Sequence, residues 1–263
     1  MNFQEKLDRI VKKNNSLLCV GLDQHLFSFN QKIIKQTFDL VCAYKPNSAF
    51  YEAEGVGGIR ELKLTCDYLR KNPEIPVILD AKRGDIGSTN KGYIKYAFDY
   101  LGVDAITLHP YLGRESIEPF LKLKDKGFFI LCKTSNPGAG EFQDLLVAKN
   151  SPTRNGRHKL VNKKLYKYVA EKVNVEWNTV GNCMLVVGAT YPKELKEIRK
   201  IVGEMTILIP GVGAQGGDIE KTVKAGLNSE KKGIIVNSSR GIIFSENPRI
   251  EAEKLRDKIN KYR

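Results

Sequence analysis

The chain has 263 residues, 41% of them hydrophobic and 28% charged. It is too apolar for a disordered chain and long enough to bury a sizeable core, and no apolar run approaches the roughly 18 residues of a membrane span. Forty-three Lys and Arg against 30 Asp and Glu leave a net charge of +13, but the lysines are scattered rather than blocked, which favours a lysine-rich surface around a site for one small anion over a nucleic-acid-binding face.

The first fourteen residues read as an amphipathic helix, with Phe3, Leu7, Ile10 and Val11 on one face. They lack the apolar centre and cleavage site of a signal peptide. Apolar, β-branched runs then recur at 17–22, 41–44, 77–79, 105–108, 128–132, 183–187, 206–209 and 233–236. Several are continuous rather than alternating, as strands buried on both faces of a parallel sheet are. Helical patterns fall between them: Ile59, Leu62, Cys66 and Leu69; then Leu195, Ile198, Ile201 and Val202; then Ile250, Leu255 and Ile259. Eight strands, each followed by a helix-length segment, predict an α/β fold of the (β/α)8 TIM-barrel type, with an added N-terminal helix and one domain over 1–263. A doubly wound sheet needs fewer strands.

One connection is long. After the fifth strand, residues 134–158 carry Pro137, Gly138, Gly140, Pro152 and Gly156 and little to pack. This long loop reads equally as a tolerated insertion or as an active-site lid. Of the five cysteines, Cys19, Cys132 and Cys183 sit in or beside apolar runs, and no CxxC occurs, so buried thiols in a reducing cytoplasm are expected. The three histidines form no HxxxH pair, and nothing reads as a metal site.

Barrel chemistry sits at the carboxyl ends of the strands. There the chain places Asp23 after strand one, Lys45 after strand two, Asp80-Ala81-Lys82-Arg83-Gly84-Asp85 after strand three, His109 after strand four, and Thr134-Ser135-Asn136 after strand five. In an extended chain Asp80 and Lys82 point to the same side. An ammonium flanked by carboxylates stays protonated and serves as a proton donor or electrostatic clamp. A structural ion-pair network is the plainer alternative. Strand seven runs into Pro210 and a glycine-rich stretch whose residues 211–216 match GxGxxG. A dinucleotide fingerprint wants an acid at the next strand end, but Asn237, Ser238, Ser239 and Arg240 follow strand eight. Glycines after strand seven and Ser239-Arg240 after strand eight fit the phosphate site that barrels build there.

Together these segments resemble orotidine 5′-phosphate decarboxylase. The resemblance is carried by 80–89, by Lys45-Pro46-Asn47, by 134–138, and by 210–217 with Ser239-Arg240, and it covers the chain from about residue 17 to 244. The Asp-Ala-Lys-Arg-Gly-Asp form is similar to the subgroup with a longer fifth loop. The resemblance implies decarboxylation of orotidine 5′-monophosphate to UMP without metal or organic cofactor. It implies that Lys82 protonates C6, that Asp80 lies by the substrate carboxylate, and that Lys45 orients the array. Asp85 and Thr89 would reach across a homodimer interface into the partner's site, with Ile86 lining it. Asp23 would bind ribose hydroxyls, Ser135 the pyrimidine amide, and Gln215 and Arg240 the phosphate, with Pro210 and Ser239 also in the substrate site. No nucleic-acid or membrane partner is expected, and a second fused domain is not. The nearest rival is a keto-sugar-phosphate barrel that shares the array but uses Mg²⁺; Ser135 and Gln215 point away from it.

Overall fold

Asn2 begins the first helix, α1 (Phe3–Asn14), with a reciprocal cap: its side chain accepts from the Glu5 amide, and the Glu5 carboxylate accepts from its own amide. The computed structural model describes residues 1–71, 74–152, 158–212 and 217–263, with the side chains of 149–152 and 158–159 left aside. Phe3, Leu7, Ile10 and Val11 are all buried, the face the sequence proposes. At about 1.5–3 kcal/mol for each fully buried apolar side chain, that face holds the helix in place better than its own propensity could. Phe3 meets Phe129 edge-on at 5.6 Å, and a side chain at Gly127 would collide with the Phe3 ring. Lys6 pairs with Asp104 at 2.6 Å, and the other Asp104 oxygen accepts from the Val77 amide. α1 therefore closes the amino-terminal floor of the barrel.

The chain continues through β1 (Leu18–Leu22), α2 (Phe27–Thr37), β2 (Ala43–Pro46), α3 (Ser48–Glu52), α4 (Gly55–Arg70), β3 (Ile78–Arg83) and α5 (Gly87–Ile94). Next come β4 (Ala105–Leu108), α6 (Gly113–Leu121), β5 (Gly127–Lys133), α7 (Gly140–Gln143), β6 (Leu146–Pro152), β7 (His158–Lys164) and α8 (Leu165–Lys172). The last part is β8 (Cys183–Val187), α9 (Pro192–Val202), β9 (Ile207–Ile209), α10 (Ile219–Gly226), β10 (Ile234–Ser238), α11 (Arg240–Ile243) and α12 (Pro248–Asn260). Eight parallel strands lie in the order β2-β1-β10-β9-β8-β5-β4-β3. β2 and β3 meet through parallel bridges at Tyr44–Val77 and Asn47–Asp80, which bring the sheet round into a near-closed (β/α)8 barrel. The eight strands are those read from the sequence, and β1, β2, β4 and β8 are buried at every position. All five cysteines are buried free thiols.

Two expectations change. The segment after β5 is not a bare loop. It folds into α7 and an antiparallel hairpin in which Leu146 faces Lys164 and Pro152 faces His158. The hairpin pairs only with itself, so it carries no buried apolar run to betray it. β3, in turn, does not stop at Leu79 but runs on through Arg83, so Asp80 and Lys82 lie on the strand.

Candidate active site

A cavity of about 580 Å³ opens at the carboxyl end of the barrel. Asp23, Lys45, Asp80, Lys82, Ser135, Pro210, Ser239 and Arg240 line it, so eight of the residues proposed from sequence converge. Asn47, Thr107, Gln143 and Asn237 join them.

At the centre is an ion array. Lys45 is buried and its Nζ donates to Asp80 Oδ2 at 2.8 Å. Lys82 Nζ donates to Asp80 Oδ1 at 2.6 Å and is half exposed to the cavity. Burial alone would push the Asp80 carboxyl up, but Lys45 and Lys82 outweigh it and hold the group far below the ordinary carboxylate range. Burial would likewise lower Lys45, yet Asp80 and Asp23 raise it above an ordinary lysine. The array is therefore two lysines around one carboxylate, with Asp80 held ionised and Lys45 held protonated.

Lys82 reaches Asp80 by a different route from the one an extended strand would give. Its φ is +49°, in the left-handed region, where only glycine is at ease. Nor is it flanked by two carboxylates of its own chain: no ion pair joins it to Asp85. Asp85 instead accepts from the Ile86 amide, and its backbone is tied to the buried side chain of Asn90. Asp85, Ile86 and Thr89 lie outside this cavity, with Ile86 and Thr89 exposed. His109 also turns away; it lines a separate, more apolar cavity of about 830 Å³ bounded by Tyr166 and Trp177. Gln215 lies outside the described residues.

Two glycines let strand ends crowd together. A Cβ at Gly21 would lie 1.8 Å from Ser239 Oγ, and one at Gly188 would lie 2.7 Å from the Ser135 Cβ. Any side chain at either position would push Ser239 or Ser135 out of place. Ser135 is fixed from its other side as well: Gln143 of α7 holds Thr134 twice, accepting from its amide at 2.9 Å and donating to its hydroxyl at 2.8 Å. Nothing in the sequence marks Gln143, because its role depends on α7 folding back.

Two acceptors are left over. Asp23 Oδ1 and Asn237 Oδ1 are buried without a hydrogen-bond partner among the described residues. Buried acceptors are rarely left unpaired, so both are set to receive hydroxyl or amide donors from a bound molecule. At the rim, Gly211 takes φ +91°, Val212 bridges to Gly217, and Ser239 and Arg240 open α11. Among the described residues no group of three or more His, Cys, Asp or Glu side chains is placed to hold a metal ion, and no helix is long and apolar enough to cross a membrane.

A barrel with a charged array at its carboxyl-terminal mouth is the architecture of an enzyme. Residues 16–255 match the model of the orotidine 5′-phosphate decarboxylase / HUMPS family. A Roseiflexus castenholzii protein named orotidine 5′-phosphate decarboxylase is 45% identical, over 99% of this chain and 98% of its own length. One of the same name from Thermomicrobium roseum is 44% identical over 100% and 96%. Among solved structures, the OMP decarboxylase of Leishmania donovani superposes with a TM-score of 0.89 at 37% identity, covering 100% of this chain and 99% of that one. The chain belongs to the orotidine 5′-phosphate decarboxylase / HUMPS family and is an enzyme of it.

Proposed function

We propose that this enzyme removes CO₂ from orotidine 5′-monophosphate to give UMP, with no metal or organic cofactor. The observation that carries the reading is the Lys45–Asp80–Lys82 array in the mouth of the barrel. Both Asp80 oxygens are occupied by lysine donors, so the array offers charge and a proton rather than a vacant ligand set.

The division of labour follows from magnitudes. A substrate carboxylate about 4 Å from Asp80 would be repelled by roughly 4 kcal/mol at an effective dielectric of 20. At 1.36 kcal/mol per decade, that is only about three decades of rate. A decarboxylation that leaves a carbanion with no electron sink needs more. Lys82, with its ammonium exposed to the cavity, stabilises charge developing at C6 and then delivers the proton there. Lys45 holds Asp80 ionised and in register. The remote phosphate supplies binding energy that positions the base over the array. Gln215 and Arg240 hold that phosphate, with Pro210 and Ser239 lining the substrate site beside them; Asp23 takes the ribose hydroxyls, and Ser135 the pyrimidine amide.

Asp85, Ile86 and Thr89, which lie outside their own chain's cavity, complete the partner's site in a homodimer. The single-domain reading of 1–263 and a cytoplasmic setting belong to the same proposal.

The test is loss of absorbance from orotidine 5′-monophosphate with and without EDTA. Turnover undiminished by EDTA is the expected result, whereas dependence on Mg²⁺ would move the enzyme to the sugar-phosphate branch. Lys82→Ala should lower kcat by at least ~10³-fold; near-normal turnover would remove the proton-donor role.

A further inference from the structure

β3 and β4 run in register at Ile78–Ala105 and Leu79–Ile106, and then the pairing jumps to Arg83–Leu108. Residues 80–82 thus face a single residue, Thr107, and the ladder cannot serve them. Thr107 is buried, and its side chain fills the gap. Its Oγ1 accepts from the Ala81 amide at 3.0 Å and the Lys82 amide at 2.8 Å, and donates to Asp80 Oδ1 at 3.1 Å. A hydroxyl has one proton to give and two lone pairs. All three are spent on three consecutive residues of the array. The amide it holds at Lys82 belongs to the residue whose φ is +49°, a strained conformation that persists only where the surroundings enforce it.

We infer that Thr107 is the positioning residue of the array: its hydroxyl fixes the 80–82 backbone and the Asp80 carboxylate together, and so aims Lys82 Nζ. Valine or isoleucine, the ordinary occupants of a buried strand position, would fill the same space without holding anything. The consequence for turnover rests on the decarboxylase reading above; the geometric claim does not.

Thr107→Val removes the hydroxyl at nearly constant shape, and Thr107→Ser keeps it. The proteins are compared by crystal structures without ligand, by steady-state kinetics on orotidine 5′-monophosphate, and by UMP affinity. In the valine variant Lys82 should leave the left-handed region or part from Asp80. Its kcat should fall roughly 10²-fold, the cost of misplacing a reacting group by about an ångström, while KM and UMP affinity stay within about 3-fold. Thr107→Ser should restore both geometry and kcat. An unchanged Lys82 backbone with kcat within about 3-fold of the parent would overturn the inference, as would a serine variant no better than the valine one. Should the valine variant not fold, Thr107→Ala is the second hydroxyl-free protein. If the parent itself releases no CO₂, the decarboxylase reading fails, and the crystal structures alone decide whether Thr107 holds Lys82.

Discussion

Lys45 and Lys133 are both buried ammoniums at the carboxyl ends of barrel strands, and each donates to an aspartate at 2.8 Å. Their surroundings differ. Lys45 looks into the cavity, where its aspartate also binds Lys82 and where Asp23 keeps a buried oxygen without a partner. Lys133 looks away from it, over the Tyr191 ring at 4.6 Å, and its aspartate, Asp144, also pairs with Lys164. Asp144 follows α7, and Lys164 ends the hairpin, so this second cluster fastens the insertion to the barrel. One cluster leaves an exposed ammonium and an unpaired acceptor facing the cavity; in the other, both Asp144 oxygens are ion-paired within the chain, one to Lys133 and one to Lys164, and Lys133 is fully buried. What separates the two buried ion pairs is that the Lys45–Asp80 pair lines the cavity and the Lys133–Asp144 pair does not.

The comparison breaks most readily at Lys45. Lys45→Met should cost kcat roughly 10²-fold or more in the absorbance assay, because Asp80 loses its buried counter-ion and Lys82 its fixed partner. A loss under about 3-fold would make Lys45 the equivalent of Lys133.

The second cluster should respond in stability rather than turnover. Asp144→Ala leaves the fully buried Lys133 ammonium uncompensated, and should cost about 3–5 kcal/mol, or a Tm lower by roughly 6–20 °C. Lys133→Met removes the buried charge itself and should cost far less, since the half-exposed Asp144 keeps Lys164. Thermal melts that rank the two variants the other way would show that the pair stabilises through its own attraction.

The smallest effect is in pH. The Asp80 carboxyl is held below its unfolded value, so its contribution to stability is complete above about pH 4, the ordinary carboxylate pKa, and is lost as pH falls towards its depressed folded value. Acid melts of the parent should therefore fall off more steeply below about pH 4 than those of Asp80→Asn. Equal slopes would mean that Asp80 carries no such depression.

The barrel was plain in the sequence because parallel strands, buried on both faces, are written as unbroken apolar runs. The floor helix was equally plain, since Phe3, Leu7, Ile10 and Val11 recur at helical spacing. The array is legible because Asp80 and Lys82 are close along the chain and do pair on β3; what the period-two rule does not convey is the left-handed backbone at Lys82. What stayed hidden acts at a distance. Thr107 lies 25 residues from the Lys82 amide it holds, and in sequence it is one more β-branched residue of a buried strand. Asn90, Gln143 and Asn237 are ordinary amides until folding sets them against their partners or the cavity. The hairpin escaped because β6 and β7 satisfy each other and need no apolar face.

The floor has a bearing on traffic. Phe3 is seated on Phe129, and there is no room for a side chain at Gly127, so the amino-terminal end of the barrel is packed under α1 while the cavity opens at the other end. Whatever enters by the mouth must leave by the mouth. A small neutral product released beside Asp80 would have to slip past the larger one above it or wait for it to go.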